Sequence, residues 1–78
     1  MRETARAYLN ALRDRDRAWR DSTTPQGYHE AHKAAVAAGR AFLREALSPG
    51  PDRDLLEERL AKSATAERRV ADIAARLL

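Results

Sequence analysis

Cysteine is missing from this 78-residue chain, which excludes a disulfide framework and any thiolate nucleophile or thiolate metal site. The lack says little about compartment, though it suits a reducing cytoplasm. Glycine and proline are scarce, three of each, and all but Gly39 sit in two short stretches. These are Ser22-Thr23-Thr24-Pro25-Gln26-Gly27 and Ser48-Pro49-Gly50-Pro51, both of the kind where helices stop and start. No glycine-rich phosphate loop can be built from so few glycines. Aromatic residues make up only 5% of the chain. No apolar run approaches the roughly 18 residues that a membrane span needs. No apolar segment follows Met1-Arg2-Glu3-Thr4, so no secretory signal is expected.

What remains is alanine, leucine, arginine and glutamate, the residues that hold a helix at least cost. The expected fold is all-α, one helical domain over 1–78, with helices at about 2–21, 25–47 and 51–77. Short connections favour antiparallel neighbours, giving an up-down-up three-helix bundle. A chain this short buries roughly 60% of its unfolded surface. Much of its apolar share is alanine, so the core is thin and dimerisation would add stability.

Periodicity assigns the buried faces. On the first helix Ala5, Tyr8, Leu9, Leu12 and Trp19 share one side, interrupted by Arg15 and Asp16. The second helix is expected to start with Thr24 as N-cap and Pro25 at its first position. Its apolar side collects Tyr28, His32, Ala35, Val36, Gly39, Phe42, Leu43, Ala46 and Leu47. A glycine inside that face predicts close approach by a neighbouring helix or ring. The third stripe is Leu56, Leu60, Ser63, Val70, Ala74 and Leu77, flanked by Leu55, Ala66 and Ile73 and broken at Glu67. Being longest by about a turn, the third helix is expected to overhang at Leu77 and Leu78.

Net charge is +3, with 15 basic and 12 acidic residues. Arginine outnumbers lysine thirteen to two, a composition associated with GC-rich bacterial or phage coding sequences. Arg2, Arg6, Arg13, Arg17 and Arg20 project within about 60° of one another on an ideal helix. Five guanidinium groups in a row suit phosphates or an acidic partner. The plainer reading is a solvated face laced by pairs such as Arg17–Asp21 with Glu3 and Asp14 alongside. Lys62, Arg69 and Arg76 make a second row, with Glu58 and Asp72 each four residues ahead of a cation.

His29 and His32 are spaced i, i+3. That is not the H-E-x-x-H arrangement, and no further ligand completes a tetrahedral set. No metal or cofactor is therefore expected. His32 reads instead as a core-edge residue with a satisfied hydrogen bond. Ser22, Ser48 and Ser63 have no histidine close in sequence, and a thin bundle offers little cleft volume for a substrate. No catalytic residue is assigned, and no enzyme, small-molecule substrate or membrane partner is expected.

The back of the second helix carries Ala31, Ala34, Ala37, Ala38 and Ala41, with the charge of Lys33, Arg40 and Arg44 confined to one strip. A helix in a small bundle normally places charge on its outer face. A flat alanine face admits a second helix, although alanine is also simply a good helix former. The functional expectation is a small protein–protein interaction module: an adaptor, an inhibitor or an antitoxin-like neutraliser. It would self-associate or bind a larger protein through that face and Leu77–Leu78. The alternative is an accessory protein that binds nucleic acid through the arginine row. The helices are too long for a helix-turn-helix, so such binding would follow the backbone rather than read bases.

Overall fold

Local propensity and periodicity account for most of the chain, and one additional break changes its architecture. The computed structural model describes residues 1–21 and 25–78. It contains α1 (Arg2–Asp21), α2 (Pro25–Ala46), α3 (Pro51–Arg59) and α4 (Ala64–Arg76), with no strand among the described residues. The expected Thr24 cap lies outside the described residues. Among those described, no helix is long and apolar enough to cross a membrane.

α1 and α2 form an antiparallel hairpin and the largest helix–helix interface. Its register can be read from end to end. Thr4 meets Glu45 near one end, Tyr8 lies against Gly39, Arg15 meets His32, and Trp19 meets Tyr28 at the other end. Gly39 allows this closeness: a Cβ built there would sit 2.8 Å from Leu60 Cδ1 and 2.8 Å from Tyr8 Cε1. The close approach read from the sequence is thus met by both a ring and a neighbouring segment.

The second connection matches expectation in its parts. Gly50 is the extended N-cap of α3, and Pro51 stands at the first helical position, where its missing N–H costs nothing. Asp52 and Asp54 occupy the first turn, where the helix dipole favours acids.

The single helix expected over 51–77 is instead two. Lys62 N–H and Ser63 N–H both bond back to Arg59 O, closing α3 in a tight turn. Ser63 is extended (φ −126°, ψ 118°), and its Oγ accepts the Ala66 N–H at 3.2 Å. Ser63 is therefore the N-cap of α4, not a member of a continuous buried stripe. A serine hydroxyl offers the backbone an alternative to the helical ladder, and a cap is where that alternative is most useful. The break redirects the chain. α3 packs on α2, while α4 makes its main contact with α1. The three-helix bundle expected from the sequence is thus corrected to four helices.

The core gathers from all parts of this arrangement. Tyr8, Phe42, Leu43, Leu60 and Val70 are its largest fully buried side chains, the aliphatic and phenyl ones each contributing about 1.5–3 kcal/mol of burial. Ala5, Ala35, Ala66 and Ala74 are buried as well. Alanine at helix contacts lets backbones approach, so a core poor in large residues still closes.

Candidate interaction surfaces

Two polar interruptions in the apolar stripes turn out to be one interaction. Arg15 on α1 and Glu67 on α4 stand 52 residues apart and form a bidentate pair. Nη1 donates to Oε2 at 2.6 Å, and Nη2 donates to Oε1. Their side chains are only 13% and 21% exposed. Arg15 Nη1 also donates to His32 Nδ1 at 3.1 Å, while His32 Nε2 lies 3.1 Å from Ala61 O. A carbonyl only accepts, so the proton belongs on Nε2 and Nδ1 presents its lone pair to Arg15. The Tyr8 hydroxyl donates to Glu67 O at 3.4 Å. Burial pushes the Tyr8 phenol up from its ordinary range, the Glu67 carboxylate adds to this, and Arg15 opposes it. The Arg15 guanidinium is also held above its ordinary value, chiefly by its hydrogen bonds to Glu67, against the cost of burial.

This cluster ties α1, α2 and α4 together at the turn between α3 and α4. His32 has both ring nitrogens engaged, as its reading as a satisfied core-edge residue requires. It is therefore not available to share a metal with His29, which is exposed. Among the described residues, no group of three acidic or imidazole side chains lies together in a metal-holding arrangement. The sequence carried one signal for the Arg15–Glu67 pair: opposite charges, each interrupting an otherwise apolar stripe.

Trp19 departs from expectation. It was placed on the buried stripe of α1, yet it is 70% exposed. Its indole packs edge-on to Tyr28 at 5.2 Å, and Tyr28 in turn stacks on His32 at 6.1 Å. The turn after α3 meets α2 at His32, through Ala61. The chain thus reverses into α4 one helical turn before the level of Tyr28, so that α3 and α4 do not extend over the far end of the α1–α2 hairpin among the described residues.

Arg2, Arg6, Arg13, Arg17 and Arg20 are all exposed along α1. Among the described residues none of them closes an ion pair. Arg17 and Asp21 share a shallow depression with Asp14 and Ala18, but no Arg17–Asp21 bridge forms. The pairs expected on the second basic row, Glu58–Lys62 and Asp72–Arg76, are likewise not formed among the described residues. Lys62 lies in the turn rather than on a helix, which breaks that row.

The outer face of α2 is set by where its cations go. Arg40 Nε donates to Glu57 O at 3.1 Å, and Arg44 Nε donates to Glu57 Oε1 at 3.0 Å. Both cations of α2 that follow Gly39 are turned toward α3. Ala34, Ala37 and Ala41 are left exposed, Ala31 is half-buried, and Ala38 is half-buried against the core. At the far end Leu77 does not overhang. It caps α4 and packs on the core, whereas Leu78 is 54% exposed. Glu45, beyond the alanines, takes the Met1 amino group at 2.9 Å. That contact holds its carboxyl below the ordinary range. Comparison with protein-family models, curated proteins and solved structures finds no match to this chain.

Proposed function

We propose that this chain is a small helical interaction module that docks on a second protein or on a second copy of itself. The observation that carries the reading is Trp19, 70% exposed and held in place by Tyr28. Tryptophan and tyrosine dominate binding hot spots because they bury large area at small entropic loss. An indole fixed by a neighbouring ring meets a partner with little ordering left to do. The exposed alanines Ala34, Ala37 and Ala41 supply a second, flat surface on α2.

The test is solution mass by light scattering over a concentration series, for the native chain, Trp19→Ser and Ala37→Glu. Self-association lost in one variant, with helicity retained, assigns the interface to that surface. If the native chain is monomeric, affinity capture is compared between the native chain and both variants. A captured protein that is lost with Trp19→Ser or Ala37→Glu supports docking on a larger partner. Capture that neither substitution changes, together with a monomeric native chain, overturns the reading.

A second reading rests on the arginine row. Arg15, Arg40 and Arg44 are engaged within the protein, whereas the five arginines of the α1 row are exposed and close no ion pair among the described residues. They span a rise of about 27 Å, enough to follow several phosphates. Backbone-driven binding through all five would fall with salt at a log–log slope of about −3.5 to −4.5. An electrophoretic shift series at rising salt measures it. No shift at low salt, with single- or double-stranded DNA or RNA, retires this reading.

A further inference from the structure

The α3–α4 break that the sequence concealed also creates a cleft of about 210 Å³. Its apolar wall is made by Leu55, Leu56 and Ala66. Leu55 is 44% exposed and is one of few large apolar side chains left outside the core. Arg59 enters from α3 and Arg69 from α4. Neither makes an ion pair or side-chain hydrogen bond among the described residues, unlike Arg15, Arg40 and Arg44, which bridge helices elsewhere. Ser63 and Thr65 add hydroxyls. The Ser63 Oγ accepts the Ala66 N–H and keeps its own O–H to donate. Among the described residues Asp52 is the one acid lining the cleft, seven residues and about 10 Å of helical rise before Arg59.

We propose that this cleft is a binding site for a small oxyanion carried on a short apolar stem. Two guanidinium groups and two hydroxyls face the cleft against a single carboxylate, so the donor-rich end selects an anion. Guanidinium forks match the two oxygens of a carboxylate or the oxygens of a phosphate monoester. The leucine and alanine methyls take the stem. The volume is below the roughly 300 Å³ at which drug-sized ligand pockets begin, which limits the occupant to a head group with a few carbons.

The experiment is a backbone-amide NMR titration of the full chain with hexanoate and with hexyl phosphate, using hexylammonium as the charge-reversed control. Saturable shifts confined to residues 52–69 are expected with the two anions, and none with hexylammonium. The double substitution Arg59→Gln with Arg69→Gln weakens binding roughly tenfold or more, as loss of charge-assisted hydrogen bonds requires. Both side chains are exposed, so helicity by circular dichroism stays unchanged. Leu55→Asn weakens hexanoate binding but leaves inorganic phosphate unaffected. Failure of both anions to saturate, equal response to hexylammonium, shifts centred on the arginines of α1, or full affinity in the double variant would each overturn the proposal. Saturation by hexanoate but not by hexyl phosphate narrows the oxyanion to a carboxylate, and the reverse narrows it to a phosphate monoester.

Discussion

At Gly39 two opposing effects can be weighed. Alanine in a helix interior is favoured over glycine by about 1 kcal/mol. The new methyl, however, would meet Leu60 Cδ1 and Tyr8 Cε1 at 2.8 Å each. Both neighbours are buried, Tyr8 to within 1% of its surface, and its ring is pinned by the Glu67 carbonyl. Overpacking of this kind costs about 1–3 kcal/mol, so the clash wins. Gly39→Ala is expected to lower stability by about 1–2 kcal/mol, read from urea midpoints. A midpoint at or above the native value would mean the hairpin separates freely at this point. Tyr8 makes a second residue-level prediction. Burial favours its neutral phenol, so the folded state holds that proton more tightly than the unfolded chain does. The unfolded tyrosine ionises near pH 10. The Tyr8 contribution is therefore fully present below about pH 10 and is lost as pH rises above it. Tyr8→Phe should remove that part of the alkaline slope, seen by comparing urea midpoints of the two proteins from neutral pH to pH 11.

At the scale of elements, the break at Ser63 and the tie between α1 and α4 are separable. Ser63→Ala removes the side-chain acceptor of the Ala66 N–H and should cost about 1 kcal/mol, while Ser63→Asp retains it and Ser63→Gly costs a few tenths. That order distinguishes a cap from a simple helix interior, where alanine would be the most stable choice. The Arg15–Glu67 pair lies between the exposed and buried limits. A double-mutant cycle with Arg15→Met and Glu67→Gln should give a coupling energy of about 1–2 kcal/mol, above the usual surface value and below that of fully buried pairs. A coupling near zero would leave α4 held by its apolar packing, chiefly Ala66, Val70 and Ala74, and by the Tyr8 hydroxyl on Glu67 O. The helices themselves were legible because alanine and leucine propensity, proline at first positions and the 3.6-residue period are local signals. The Ser63 cap was not, because a serine inside a run of helix formers reads equally well as part of a longer stripe. Glu67 lies one position too late to complete a capping box with Ser63, so the usual second half of that signature was missing.

For the whole molecule, surface and stability should come apart at Trp19. Its exposure predicts that Trp19→Ser changes unfolding free energy by no more than about 0.5 kcal/mol, measured by urea denaturation at a fixed low concentration. A loss of several kcal/mol would place the indole in the fold rather than in reserve for a partner. The same substitution is the one expected to alter association.

Helicity, the two proline-marked connections, the apolar side of α2 and the close approach at Gly39 were all determined by the sequence itself. Each depends on a residue's own conformational preference or on neighbours within two turns. The tertiary structure decided what depends on distant partners. Arg15 and Glu67 became a pair because α4 lies on α1. Trp19 stayed exposed because the chain turns back at Ala61 before reaching it. Arg40 and Arg44 left the alanines bare because Glu57 stands beside them on α3. Periodicity states which side of a helix is apolar. It does not state how far along that side the neighbouring helix extends.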